Sequence, residues 1–252
     1  MSEERPRVWV YGVVSADAQL EQLESRDDLP DVWLVEARDL AAIVGDAPEG
    51  DAKATRNQAL AHSRVLETAV RDSPVVPFRF GIMCPTDDDV ASGILEDRHD
   101  ELTDLLGRLE GVVQMLLKVY YDEEALLREI LEAEPEIAQL RDATREGPEE
   151  ATRNERVRLG ELINNAILQR RERDSADILE NLESVVLGVD PQPPEKELMV
   201  VNAPFLVERA RLEEFDQAVE EVAEERVERM HFKLLGPMPA YNFLGTQEQA
   251  AA

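Results

Sequence analysis

Residues 112–121 read VVQMLLKVYY, with Gly111 before them and Asp122–Glu123–Glu124 behind. A ten-residue run of β-branched, aliphatic and aromatic residues between a glycine and an acidic helix start has the composition of a strand feeding a helix. The order that follows decides the fold. A long helical stretch runs from Asp122 to about Glu183 and breaks at Pro135 and at Gly147–Pro148. Its third piece carries Leu159, Leu162, Ile163, Ala166 and Arg170 at helical spacing. Ser184–Leu187 reads as a strand ending at Gly188, and Asp190–Pro194 as a proline-rich turn. Leu198–Val207 reads as a strand with Pro204 inside it. Arg211–Arg226 is an amphipathic helix, with Leu212, Phe215, Val219 and Val222 facing in and Glu213, Glu214, Glu220, Glu221 and Glu224 facing out. Met230–Leu235 is a last strand. This β-α-β-β-α-β order is the split βαβ, or ferredoxin-like, plan with an expanded first helical region.

Working back from Gly111, a similar order appears. Val8–Val14 (VWVYGVV) reads as a buried strand and Asp17–Glu24 as a short helix. Val32–Glu36 and Leu40–Val44 are two short strands around an Arg38–Asp39 turn. Ala54–Arg71 is a helix with His62, Val65, Leu66 and Ala69 on one face, and Val75–Phe80 is a strand that Pro74 and Pro77 confine to an edge. Thr86 is placed to cap a connecting helix over 86–110, with Asp87–Asp89 at its positive end and Gly111 as its stop. The expected fold class is therefore α+β in two domains. Residues 1–110 form a smaller α+β domain with its connecting helix, and residues 111–252 a modified ferredoxin-like domain with a C-terminal tail. The halves share an order of elements and no visible sequence identity.

The formal net charge is −28 over 252 residues, with −13 in residues 1–110 and −15 in residues 111–252. The excess belongs to the whole surface rather than to an acidic arm. Such a surface repels phosphate backbones and anionic lipid, so neither nucleic acid nor membrane is an expected partner. Only four of the 27 basic residues are lysine, a ratio that a salt-loving host or a GC-rich genome would each produce. The single cysteine, Cys84, rules out an internal disulfide and suits a reducing compartment. The start, Met1–Ser2–Glu3–Glu4–Arg5, lacks the basic and apolar regions of a signal peptide. Lys118 or Asn202 interrupts the longest apolar stretches before they reach membrane-spanning length.

Catalytic and ligand-binding patterns are sparse. His62, His99 and His231 have no second His or Cys at a metal-ligand spacing. His62, on an apolar helix face, reads as a packed histidine bonded to backbone; His99, among Asp97, Arg98 and Asp100, reads as solvated. Cys84 has no neighbouring base and reads as an inert thiol. Gly12 and Gly45 stand alone, without a phosphate-loop pattern. Asp87–Asp89 complement a helix dipole, and Arg170–Arg173 reads as an ion-paired surface. No cofactor or metal is expected, and no constellation points to an enzyme.

Three segments do stand out: Pro74–Gly81 (PVVPFRFG), Met199–Val207 (MVVNAPFLV) and Gly236–Leu244 (GPMPAYNFL). Five of the chain's 12 aromatic residues fall in them, each segment with proline at or beside a strand end. Phe78, Arg79, Phe80, Asn202, Phe205, Tyr241, Asn242 and Phe243 are the candidates either for anchoring a partner or for locking the fold, with Tyr241 and Phe243 expected to fold back onto the body.

These segments also carry a resemblance. VWVYGVV resembles the first strand of the gas vesicle accessory family GvpL/GvpF, and Ala61–Val65 its H-x-x-V helix. PVVPFRFGIM resembles the family's P-V-x-P-x-R-F-G segment, and Gly111–Tyr121 its G-x-x-E-x-x-x-K-V strand, with Gln114 in place of the acid. Arg158–Glu161 is similar to its R-x-G-E helix, MVVNAPFLV to its x-N-x-A-F-L-V strand and GPMPAYNFL to its G-P-x-P-x-Y-N-F ending. Pro204 and Ala240 depart from the usual residues. The resemblance implies a two-domain α+β protein whose second domain is a modified ferredoxin-like unit. It implies a role in assembling gas vesicles, by contact with the small hydrophobic shell protein GvpA and with other accessory proteins. It places the protein at the gas vesicle, and in the cytoplasm before assembly. The alternative from the bare sequence is a ferredoxin-like hydrolase using Arg79 and Asn202, or a small-ligand-sensing module; fold alone licenses neither.

Overall fold

The structure, a computed structural model, describes residues 7–24, 29–47, 55–148 and 152–244. Met1–Arg5, Ala54 (the expected start of the second helix) and the last eight residues of the expected tail lie outside the described residues. The protein is a mixed helix and sheet structure with antiparallel pairing in its first sheet, as the order of elements predicts. It divides into two compact units. One takes Met1–Met115, Leu206–Ala210 and Leu235–Ala252; the other takes Leu116–Phe205 and Arg211–Leu234.

In the first unit, β1 (Val8–Ser15), β2 (Val32–Ala37), β3 (Leu40–Asp46), β4 (Val76–Pro77) and β5 (Met83–Cys84) form one sheet. Its order is β2-β3-β1-β4, with β5 also on β1. The β2–β3 hairpin turns at Arg38–Asp39 as expected, with Arg38 at φ 58°, the left-handed conformation that two-residue hairpin loops require. The register along β1 shifts between Val10 and Gly12, so Tyr11 is the extra residue of a bulge. Gly12 permits this because a Cβ there would lie 2.7 Å from the Val76 carbonyl oxygen.

The expected continuous strand over Val75–Phe80 is broken. Val76–Pro77 pair with β1, the chain then leaves the ladder, and Met83–Cys84 rejoin the same strand at Val8–Trp9. Pro77 has no N–H to continue the ladder, and Gly81, at φ 100°, sits in the turn that brings the chain back to β1 in the same direction. The Phe78 amide still donates to Tyr11 O at 2.9 Å, so the excursion stays tied to β1.

Between β1 and β2 lies the short α1 (Glu21–Glu24). Helix α2 (Arg56–Asp72) opens with a capping box in which Thr55 and Gln58 satisfy each other's backbone amides. At its far end Arg209 donates to the carbonyls of Val70, at 2.5 Å, and Arg71, at 3.0 Å, so a cation closes the negative end of the helix.

The expected single helix over 86–110 is instead three pieces. Thr86 caps α3 (Asp87–Val90), a π-turn covers Ala91–Glu96, and α4 (His99–Leu109) follows. The reason lies in the apolar spacing. Val90 and Leu95 are both fully buried, yet five residues of regular α-helix would set them about 140° apart. The wider turn, closed by Asp97 N–H to Ser92 O at 3.1 Å, brings both to the core. The Ser92 hydroxyl, donating back to Asp88 O at 2.7 Å, competes with the regular ladder there.

The second sheet has the order β7-β8-β6-β9, from β6 (Val112–Tyr121), β7 (Gly188–Val189), β8 (Met199–Glu208) and β9 (Met230–Met238). The boundary between the units falls within β6, β8 and β9. The helical stretch breaks where expected, into α5 (Glu123–Ala133), α6 (Pro135–Glu146) and α7 (Arg153–Leu182). Pro135 stands at the first position of α6, where its missing N–H costs nothing. Ser184–Leu187 is not the expected strand. A 3₁₀ turn covers Glu183–Val185, Val185 points inward, and the Ser184 carbonyl accepts from Arg211 at 3.0 Å. Helix α8 (Leu212–Glu224) buries Phe215, Val219 and Val222 as its stripe predicts, and Leu212 is half-buried.

Candidate functional site

The first and third proline-aromatic segments, with Leu206 from the second, meet in the first unit. Its core includes Val10, Val13, Leu40, Leu95, Leu102, Phe78, Ala240 and Leu244, with Leu206 and Phe243 packed against it. Phe78 comes from the first segment, Leu206 from the second, and Ala240, Phe243 and Leu244 from the third. Phe78 is 1% exposed, and the Arg98 guanidinium lies 5.8 Å from its ring centroid. Arg79, next in sequence, is exposed.

Phe80 belongs to an aromatic cage around His62. Its ring centroid is 4.9 Å from Trp9 and 5.7 Å from His62, while Tyr11 stacks on His62 at 5.2 Å. The Trp9 indole N–H donates to His62 Nδ1 at 3.1 Å, and His62 Nε2–H donates to the Phe78 carbonyl at 3.0 Å. An indole can only donate, so Nδ1 must be the acceptor and the ring is the neutral Nε2–H tautomer. Burial lowers the pKa of His62 in keeping with this. The expected packed histidine is thus the centre of the cage rather than a base.

A buried amide side chain, that of Gln114, helps to hold the C-terminal segment. After β9, Tyr241–Phe243 form a 3₁₀ turn and are half-buried. The Asn242 amide donates to Gln114 Oε1 at 3.1 Å, and Gln114 Nε2 points to Met238 Sδ at 3.5 Å. Gly236, at φ 133°, makes the approach possible, because a Cβ there would lie 2.7 Å from Met115 Sδ. Burial, with Glu67 adding to it, holds the Tyr241 phenol protonated. Tyr241 and Phe243 therefore do fold back.

Asn202 and Phe205 serve the second unit. Asn202 Nδ2 donates to Pro193 O at 3.3 Å and its carbonyl accepts from Gln192 N at 2.8 Å, so it pins the proline-rich turn. Phe205, 1% exposed, packs on Phe215 with centroids 5.4 Å apart. Arg79 and Asn202 fall in different units, and Asn202 spends its amide on the turn.

Three features were not read from the sequence. Arg170, expected on an ion-paired surface, is buried and lies 3.4 Å from Glu129. Glu129 also takes Arg229 at 2.9 Å, and Arg229 reaches Asp174 at 3.2 Å, where the Tyr121 hydroxyl donates at 2.7 Å. His99 likewise is not simply solvated: Nε2 lies 2.5 Å from Asp39 and Nδ1 3.1 Å from Asp100, and these carboxylates raise its pKa.

The third feature is a cleft of about 530 Å³ within the second unit. Tyr120 and Tyr121 from β6, Leu126 and Leu127 from α5, and Ile163 and Ile167 from α7 line it, with Lys196–Leu198 at one side. The signals were present as a tyrosine pair at a strand end and an i, i+4 isoleucine pair, but neither says what faces it. Among the described residues no helix is long and apolar enough to cross a membrane.

Residues 7–245 match the model of the family described as gas vesicle synthesis protein GvpL/GvpF. The chain is 33% identical over 239 residues to gas vesicle protein F of a Streptomyces species, covering 94% of this chain and 98% of that one. In fold it is similar to the crystal structure of GvpF from Anabaena, with a TM-score of 0.75 at 21% identity, covering 95% of this chain and 98% of that one. GvpF from Microcystis aeruginosa gives 0.71 at 22% identity, covering 95% and 99%. With a match that spans nearly its whole length, this chain belongs to the GvpL/GvpF family of gas vesicle proteins.

Proposed function

We propose that this protein supports gas vesicle assembly by binding the shell protein GvpA and other accessory proteins, without turning over a substrate. The observation that carries the reading is the family match over residues 7–245. The chemistry agrees with it. Phe78 and Phe205 are packed, Asn202 holds backbone, and Arg79 stays exposed, so the motif segments serve mainly to build the body that meets partners. A shell subunit that faces gas exposes apolar surface before it assembles, and a partner must cover that surface and release it. A body of net charge −28 resists associating with itself while doing so.

The test is genetic and biochemical. Deleting the gene in a gas-vesicle-forming host is expected to remove buoyancy, and the wild-type gene to restore it. Arg79→Ala with Cys84→Ala is expected to restore it as well, since neither side chain has a chemical task in this reading. Normal vesicles in the deletion strain would overturn the assembly role. A folded double variant that captures the shell protein yet forms no vesicles would return the protein to the enzymes.

A further inference from the structure

We propose that the cleft beside Tyr120 and Tyr121 is a docking groove for a short amphipathic helix whose apolar side chains are flanked by lysine or arginine. This rests on the partner-binding reading above and gives that partner a chemistry. The volume, about 530 Å³, is within the roughly 300–1,000 Å³ of small-molecule pockets, which is room for a few anchor side chains of a helix. The floor is aliphatic and buried at Leu126 and Ile167, with Leu127 and Ile163 half-buried beside them. Ile163 and Ile167 stand one helical turn apart, so the floor repeats at the spacing of a partner helix's own i and i+4 anchors.

The groove is also preformed. The ring of Tyr121 lines it while its hydroxyl is tied to Asp174, which Arg229 holds in turn. A wall fixed from behind loses little freedom on binding.

The polar groups stand at the rim, where Glu123, Lys196 and Glu197 are all exposed. Lys196 lies over the Tyr120 ring, 5.7 Å from its centroid. Two glutamates face one lysine among the lining side chains, Arg171 is bonded to the Glu197 carbonyl beside them, and the chain as a whole carries −28. An aliphatic floor beside Glu123 and Glu197, on a chain of strong acidic charge, favours an apolar stripe with cationic flanks over an acidic segment.

The experiment uses the full chain and two labelled peptides of about 15 residues, long enough to form helix on binding. Both carry leucine at i, i+3, i+4 and i+7; one has lysine on its flanks and the other glutamate. Fluorescence anisotropy is expected to show the lysine peptide bound at least about ten-fold more tightly, with the gap narrowing as salt rises. Leu127→Arg is expected to weaken the lysine peptide about ten-fold or more. Glu197→Lys, on the exposed rim, leaves the floor intact and is expected to move the preference toward the glutamate peptide. Equal affinity for the two peptides, or no response to Leu127→Arg and Glu197→Lys in folded variants, would overturn the proposal. So would a cleft that takes sodium octanoate but neither peptide, or self-association by sedimentation that Leu127→Arg abolishes. Capture of purified shell protein by the wild type tests the assembly reading separately. Capture that Leu127→Arg leaves intact overturns the groove and spares the assembly reading. Absent capture overturns the assembly reading while the peptide preference still decides the groove.

Discussion

The backbone amide of Asn242 donates to the side-chain oxygen of Gln114, 128 positions earlier, at 3.1 Å. Gln114 is 3% exposed, so its acceptor has exchanged water for that amide. Removing it takes this acceptor from the Asn242 amide and leaves a gap where the buried side chain was. Gln114→Ala is expected to cost about 1–3 kcal/mol in chemical denaturation and to speed proteolysis after Met238. Gln114→Glu keeps the acceptor and is expected to cost less. An alanine variant as stable as wild type would show that the bond contributes nothing.

His62 makes stability depend on pH. Its folded pKa is lowered by burial, so the neutral ring's contribution is complete above its ordinary value of about 6.5 and is lost as pH falls through the folded value. His99 acts with the opposite sign. Its pKa is raised by Asp39 and Asp100, so its contribution is complete below about 6.5 and is lost as pH rises through the raised value. His62→Phe is expected to remove the acid-side loss and to cost about 1–3 kcal/mol at pH 8, because the Trp9 indole and the Phe78 carbonyl lose their partner. Melting curves of the two proteins between pH 5 and 8 check this; parallel curves would mean His62 does not titrate in that range.

Arg209 closes α2 through two carbonyls. Arg209→Met keeps the aliphatic stem and deletes the donors. The expected loss is about 1.5–3 kcal/mol, the usual worth of hydrogen bonds to a charged group. Hydrogen exchange should rise first in the last turn of α2. Unchanged protection there would show that solvent replaces the arginine fully.

Phe215 and Glu220 lie on opposite faces of α8, one fully buried and the other exposed. Phe215→Ala is expected to cost about 3–5 kcal/mol. Glu220→Ala should change stability by less than about 0.5 kcal/mol. Similar effects at the two sites would contradict the facing of the helix.

The acid excess is spread over the chain, and many of the ion pairs, such as Arg108–Asp104 and Arg158–Glu136, stand at exposed positions. Melting temperature is expected to rise from low salt to about 0.15 M, where the Debye length is about 8 Å. A flat or falling curve would show that the carboxylates are already well separated or paired.

The sequence by itself determined several features whose information is local. The ends of β6, Val112 and Tyr121, follow from a glycine, an apolar run and an acidic helix start. The inward stripe of α8 follows from its spacing, and the breaks at Pro135 and Gly147 from backbone chemistry. His62 was legible as a packed residue because its helix face is otherwise apolar. What periodicity cannot carry is which apolar surfaces meet, since that depends on closing loops of a hundred residues or more. Only the tertiary structure decided that Ala240, Phe243 and Leu244 join Phe78 in one core, and that Gln114 waits there for the Asn242 amide. It also decided the π-turn at Ala91–Glu96, where burying both Val90 and Leu95 outweighs the regular ladder. Arg170 lies inward beside Glu129 and Glu134, carboxylates from a different part of the chain, an ion-pair arrangement that no local pattern announces.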